Sequence, residues 1–192
     1  MVITIMPLLV VVGVLVLLAL IVVAVVVGGY NRLVRGRNQV DEGWAQIDVQ
    51  LRRRYDLIPN VVETVKGYAA HERETLERVT QARNMAMNAS GVQQHAQAEN
   101  MLSGALKSLF ALSEAYPQLK ANENFMQLQE ELASTENRIG FARQHYNDVV
   151  RSYNTMVQSV PTNLIASMFT FKTRDFFEVE EPAVREAPKV KF

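Results

Sequence analysis

The sequence predicts an all-α protein: an N-terminal transmembrane helix that continues into an antiparallel bundle of long helices, four-helix-bundle-like. Three observations carry that reading. Residues 8–27 contain no charged or strongly polar side chain, and no Asp, Glu, Lys or Arg precedes Arg32. Beyond that run, apolar residues recur at intervals of three and four over most of the chain, the period of a helix with one buried face. No segment alternates with the period of a strand, and no internal repeat or second domain is visible.

The apolar run comes first. A helix rises about 1.5 Å per residue, so about 20 apolar residues match the ~30 Å hydrocarbon core of a bilayer. A cleavable signal peptide wants a basic leading region, a shorter apolar stretch of about 7–15 residues and a small-x-small exit. The leading residues here carry no basic side chain, and Val25-Val26-Val27-Gly28-Gly29 is a poor exit. With no Cys, lipoprotein processing is excluded as well. The run therefore reads as an uncleaved single-pass anchor, residues 1–29. Gly28 and Gly29 each cost a helix about 1 kcal/mol relative to Ala, yet no proline intervenes, so the anchor is expected to run on into the first domain helix, with room for a bend. Ala24 and Gly28 form a weak small-x-x-x-small pair of the kind that lets neighbouring anchors approach.

The first domain helix places Leu33, Val40, Trp44, Ile47, Leu51, Ile58, Val62 and Val65 on one face, with Arg37 in one expected slot. Pro59 lies inside this pattern, and an interior proline removes a backbone hydrogen bond and crowds the preceding turn, so a kink or local break is expected there, the surviving apolar register favouring a kink over a stop. Residues 72–89 continue the helix with Leu76 and Val79 inward, and Asn88-Ala89-Ser90-Gly91 reads as a turn. A third helix covers 92–116, with Leu102, Leu106, Leu109 and Leu112 on one face, and Pro117 ends it. Asn122 is the expected cap of a fourth helix, in which Phe125, Leu128, Leu132, Thr135, Ile139, Ala142, Tyr146, Val149, Tyr153, Met156 and Val160 repeat over several heptads until Pro161. Residues 163–169 suit a short apolar helix. The bundle is taken as 30–177, and 178–192 as a charged, Pro-containing, disordered tail.

Composition narrows function. The chain has 20 basic and 20 acidic residues, which argues against nucleic acid as a partner. No Cys means no disulfide, thiolate metal site or cysteine nucleophile. None of His71, His95 and His145 follows a Glu at three residues' distance, so the di-iron signature of helical bundles is missing. Tyr68-Ala69-Ala70-His71-Glu72 is read as helix surface or cap. No serine elbow and no Gly-rich phosphate loop occurs. No catalytic, cofactor-binding or metal-ligating residue is assigned, and no cofactor is expected.

Two local features remain. In the stretch Trp44 to Asn60, Asp48 and Arg52 stand at i,i+4 with the acid first, and Arg52 and Asp56 in the weaker order. Arg52, Arg53, Arg54 and Asp56 read as a salt-bridged face between packed helices; the alternative is contact with a partner or lipid head groups. Phe169, Phe171, Phe176 and Phe177 read as an aromatic cluster packed over the open end of the bundle; the alternative is an interfacial segment that lies on the membrane or on a neighbouring subunit.

Several stretches together resemble the LemA family. They are Tyr30-Asn31-x-Leu33-Val34-x-x-Arg37; Trp44-x-x-Ile47-Asp48-Val49-Gln50-Leu51-x-Arg53-Arg54-x-Asp56-Leu57-Ile58-Pro59-Asn60; Val65-Lys66-Gly67-Tyr68-Ala69-x-His71-Glu72; and Tyr116-Pro117-x-Leu119-Lys120-Ala121. Thr135-Glu136-Asn137-x-Ile139, Ala142-Arg143-x-x-Tyr146-Asn147 and Tyr153-Asn154 extend the likeness to about residue 177. The resemblance implies a bacterial membrane-anchored helical bundle without a catalytic set. Relatives in magnetosome membranes imply a role in membrane shaping or organisation.

From these readings follow two hypotheses. The first is a structural protein of the bacterial cytoplasmic (inner) membrane that contacts the lipid bilayer and self-assembles as a homo-oligomer. The second is a binding or sensor module relaying a signal to a partner membrane protein such as a protease or transporter. Arg32, Arg35 and Arg37 beside the anchor favour the bundle on the cytoplasmic side by the positive-inside rule; the periplasmic or extracellular side is the alternative.

Overall fold

A computed structural model describes residues 2–178, with side chains from Val10 onward. The expected disordered tail lies outside the described residues from position 179, as do the side chains of the first anchor residues. Six helices follow one another: α1 Val2–Tyr68, α2 Arg73–Met87, α3 Val92–Ala115, α4 Pro117–Lys120, α5 Glu123–Gln158 and α6 Thr162–Met168. No strand occurs among the described residues. The all-α, helical-bundle expectation holds.

The chain divides into two compact units, one built from residues up to Glu42 with Asp148–Arg174, the other from Gly43–Asn147 with the residues from Asp175. Helices α1 and α5 contribute to both.

In the second unit four helices pack around one core. The contacts fix their directions. Along α1, residues 44, 54 and 68 meet progressively earlier residues of α5 or its cap: Trp44 meets Tyr146, Arg54 meets Glu136, and Tyr68 meets Asn122. α5 is therefore antiparallel to α1. Trp44 meets His95 and Arg54 meets Glu99, so α3 runs parallel to α1, and α2 folds back between them. The core is filled by the residues of the three-four pattern: Ile47, Leu51, Ile58, Val65, Leu102, Leu109, Phe125 and Tyr146 are all buried.

The helix ends follow local chemistry. Gly91, with φ +80°, occupies the left-handed region at the α2–α3 turn, where a side chain is disfavoured. Pro117 closes α3 and opens the short α4, where its missing N–H costs nothing. Asn122 caps α5 as expected, its Oδ1 accepting the N–H of Phe125 at 2.9 Å.

One helix expectation is corrected. Residues 72–89 do not continue the first helix. The chain turns at 69–72, and α2 reverses to bury Leu76, Val79, Ala82 and Ala86. A straight continuation would have left those side chains without a core.

At Pro59 α1 does not stop, in keeping with the apolar register that continues through it. A proline at 59 removes the N–H that would bond the carbonyl of Tyr55 four residues earlier. Arg83 of α2 supplies the missing donor, its Nε giving a 2.7 Å hydrogen bond to that carbonyl. The orphaned acceptor is satisfied from a neighbouring helix, and α1 passes through.

In the first unit, α1 lies against the end of α5 and α6. The inward slot expected for Arg37 belongs instead to the buried Gly36, while Arg37 is exposed. A methyl group on Gly36 would sit 2.7 Å from Met156 Cε and 3.1 Å from Tyr153 Cδ2. On Gly29 it would collide with Ile165 Cδ1. Absent side chains let the helices approach closely, as small residues do at packed interfaces. Gly29, Gly36 and Gly43 are spaced by sevens, a register visible in the sequence.

Candidate functional site

The most unusual arrangement in the second unit is a buried charge cluster where α1, α3 and α5 meet. Arg54 is only 4% exposed. Its Nη1 lies 2.8 Å from Glu99 Oε2 and 3.0 Å from Glu136 Oε2, and its Nη2 donates to Ser103 Oγ at 2.8 Å. Tyr55 donates its hydroxyl proton to Glu99 Oε1 at 2.5 Å. Glu99 is 3% exposed, whereas the side chain of Glu136 is about half exposed, so the cluster opens to water on the α5 side.

Burial pushes the Glu99 carboxyl above the ordinary carboxylate range; Arg54 and the Tyr55 hydroxyl pull the other way, and the like charge of Glu136 adds to the rise. The Tyr55 hydroxyl is pushed far up by burial and by Glu99, which keeps it a proton donor. Every partner holds another in place. Such a cluster fixes the register of three helices, because sliding one strands a charge in the core.

Sequence reasoning placed Arg54 in a run with Arg52 and Arg53 and missed Glu99 and Ser103. The run does not form one face. Arg52 is exposed and pairs with Asp48 at 2.8 Å, and Arg53 and Asp56 are exposed as well. A signal was available: Arg54 falls three after Leu51 and four before Ile58, and Glu99 three before Leu102. Both sit on the buried register.

Trp44 anchors a second polar–aromatic knot. Its ring lies 5.4 Å from His95, 5.7 Å from Tyr146 and 5.7 Å from Phe177. Tyr146 donates its hydroxyl to the Asp175 carbonyl at 2.9 Å. Asn147 takes both backbone groups of Phe177, donating from Nδ2 to its carbonyl at 3.1 Å and accepting its N–H at 2.9 Å. In the first unit Asn154 grips Arg174 in the same way, at 2.9 and 2.8 Å. Tyr146 and the asparagines of the two Tyr-Asn pairs, which lie seven residues apart, thus hold the irregular segment after α6.

The four phenylalanines do not form one cluster. Phe177 is buried in the second unit and Phe176 is half-buried. Phe169 and Phe171 belong to the first unit, where both meet Tyr30 edge-on, at 4.8 and 5.7 Å, and Arg37 lies 5.4 Å above the Phe171 ring. Ala24 and Gly28 are exposed, and Pro59 faces outward. His71 lies in the α1–α2 turn, whose walls are tied by Tyr116 Oη donating to Glu72 and Asn122 Nδ2 donating to Tyr68 Oη. Among the described residues, no group of three or more His, Cys, Asp or Glu is placed to hold a metal ion.

These knots are built largely from the stretches that resemble a known family. The sequence profile of that family, LemA, matches residues 43–192. The chain belongs to the LemA family. It is 28% identical over 162 residues to Protein LemA of Metamycoplasma hominis, covering 82% of this chain and 72% of that protein. It is also 24% identical over 180 residues to Magnetosome protein MamQ 2 of Paramagnetospirillum magneticum, covering 80% of this chain and 66% of that one. Magnetosome protein MamQ of Magnetospirillum gryphiswaldense matches at 23% over the same shares. The chain thus spans just under two thirds of the magnetosome relatives. Within the LemA family portion lie Trp44, the Arg54 cluster, the Pro59–Arg83 contact and both Tyr-Asn pairs.

Proposed function

We propose that this LemA family protein is a non-enzymatic, membrane-anchored structural protein that assembles laterally with copies of itself and so organises or shapes the bilayer. The observation that carries the proposal is α1. One uninterrupted helix contains an apolar stretch, 49–62% exposed at its large side chains from Val10 to Val25 and at Val27, with Val26 half-buried, and then the register that fills the bundle core. Apolar surface exposed on every side of a helix long enough to cross a membrane calls for lipid.

Lateral assembly draws on surfaces left open. Ala24 and Gly28 are exposed, and a methyl on Gly28 would meet nothing within 4 Å, in contrast to Gly29. In the second unit Phe141 is 73% and Val49 61% exposed, on a groove shared with Gln46, Gln50 and His145. The names of the magnetosome relatives support a membrane setting. In this reading the membrane is the bacterial cytoplasmic membrane and Arg32, Arg35 and Arg37 keep the bundle on its cytoplasmic side.

The test is the mass of the purified full-length chain in lipid nanodiscs and in detergent, with a crosslinking ladder in native membranes. Discrete oligomers weakened by Gly28→Leu or Phe141→Ser are expected. A strictly monomeric protein at native concentration defeats the proposal. The continuity of α1 past Gly28 and Gly29 also favours the second reading, a relay to a partner membrane protein; crosslinks from the bundle to one defined protease or transporter, with none between copies, decide for it. A compartment reporter fused after Phe192 tests the side.

A further inference from the structure

A second surface in the first unit stands out for its position. α6 is docked against α1 at Gly29, with Ile165 Cδ1 in contact there and Thr162 Cγ2 3.6 Å from where a Cβ would lie. Gly29 is two residues past the end of the apolar run, about 3 Å along a helix. The headgroup layer on each side of a bilayer is about 5–7 Å thick. α6 is therefore held at the level where a membrane-spanning α1 leaves the hydrocarbon.

α6 is two-faced. Ile165 and Ala166, at 4% and 2% exposure, point into the unit. Leu164 and Met168, one turn apart, are 64% and 70% exposed, and Val160 in the preceding turn is 80% exposed. Single exposed apolar residues are ordinary, but several large ones gathered on one side of a short helix mark a contact surface. Tyr30 and Phe169, in edge-on contact, are 38% and 45% exposed beside them, a pairing suited to a membrane–water boundary. The charge is one-sided: residues 149–174 contain no Asp or Glu, and none occurs before Asp41, while Arg32, Arg35 and Lys172 are exposed. An apolar face whose flanking sequence carries exposed cations and no acidic residue, at the exit of a membrane span, matches a bilayer interface better than a protein partner or water.

We propose that α6 is a second membrane contact of this chain, an interfacial helix that turns Leu164, Met168 and Phe169 into the acyl-chain boundary with Arg32 and Lys172 among the head groups. It rests on the reading of α1 as a membrane anchor. The contact fixes the depth and orientation of the first unit against the bilayer, which a single anchoring helix leaves free to rotate.

The chain has no cysteine, so single reporters are clean. Leu164→Cys and Met168→Cys, each labelled with an environment-sensitive dye, are read in the full-length protein in nanodiscs of phosphatidylcholine and phosphatidylglycerol, against Leu18→Cys inside the span and Arg151→Cys on α5. The labels at 164 and 168 are expected to lose most of their emission to lipids carrying a quencher near the headgroup, and to be shielded from aqueous iodide, as Leu18 is. Arg151 shows the reverse. If 164 and 168 follow Arg151 while the dye at Leu18 reports an apolar site shielded from iodide, the interfacial helix is refuted and the anchor stands. If 164 and 168 are shielded from both quenchers and labelled copies self-quench, a second copy covers the face and the proposal is overturned. If Leu18 itself fails to sense lipid, the anchor fails and the interfacial helix with it.

Discussion

One helix, α1, contains two apolar stretches that answer to different surroundings. Between Val10 and Val25 valine and leucine are exposed all round the helix, and nothing polar interrupts them. Between Gly43 and Tyr68 most apolar residues keep to one face, Val49 being an exposed exception, and the same face admits an arginine. Backbone and residue types are alike; the solvent is not. In the first stretch an ionisable side chain has no partner and is absent, whereas in the second Arg54 is tolerated because three other helical residues satisfy it. Apolar content thus identifies what surrounds a helix, and the polar exceptions identify what it is locked to.

The largest expected effect breaks that lock. Arg54→Ala leaves Glu99 buried and unpaired, which should destabilise the bundle by about 3–5 kcal/mol, read as the midpoint of urea unfolding by circular dichroism. Replacing both partners, Arg54→Met with Glu99→Leu, should recover most of the loss. If the double variant is no better than the single one, the cluster is not a paired unit.

Next comes the contrast between the stretches themselves. Ile58 is 1% exposed and Leu18 53%. Ile58→Ala should cost about 2–5 kcal/mol of bundle stability through the cavity it opens, while Leu18→Ala should leave the bundle's unfolding midpoint unchanged. Equal effects would mean that the two stretches do not differ as described.

A smaller effect probes how α1 survives its proline. Arg83→Ala removes the donor to the Tyr55 carbonyl and should cost about 1–3 kcal/mol, the penalty of a buried acceptor without a partner. In a Pro59→Ala background the helix regains its own N–H, so the same Arg83→Ala change should cost far less. Additive losses in that double-mutant cycle would show that Arg83 acts elsewhere.

Much of this was legible in the residues, but unevenly. The regular three-four spacing reported the helices and most of the core because burial imposes that period directly. The apolar run was legible for the opposite reason: it has no polar face at all over 8–27. That α1 passes Pro59 was legible in the apolar register, but its means was not, since the compensating Arg83 is 24 positions away in sequence and no local rule connects them. The turn at 69–72 carries neither Gly nor Pro, so only the tertiary reward of folding α2 back accounts for it. The Arg54 cluster was half visible: the register marks Arg54 and Glu99 as inward, but three consecutive arginines read as one salt-bridged face, which hid that Arg54 alone is buried. The phenylalanines misled through proximity in sequence, for Asn154 and Asn147 guide Arg174 and Phe177 along separate stretches of α5.

The smallest effect concerns His95, which shares the second unit with the Arg54 cluster but lies on its Trp44 side. Its Nδ1 is buried without a hydrogen-bond partner among the described residues, and burial lowers its pKa below the ordinary 6.5, with Asp48 pulling weakly upward. On acidification the unfolded chain takes up the proton first. The stability contributed by the neutral ring is therefore complete above pH 6.5 and is lost as pH falls through the folded value. Glu99, raised by burial, acts in the opposite sense, so the two must be separated by difference. Urea midpoints of the wild type should fall between about pH 8 and pH 5 more steeply than those of His95→Gln, the ring being the group that titrates there. Trp44, the only tryptophan and 5.4 Å from the ring, should lose emission as pH falls through the folded His95 value, below 6.5, in the wild type alone. Matching pH profiles in the two proteins would place the titrating group elsewhere, and would leave the bundle stretch of α1 with Arg54 as its one charge-dependent lock.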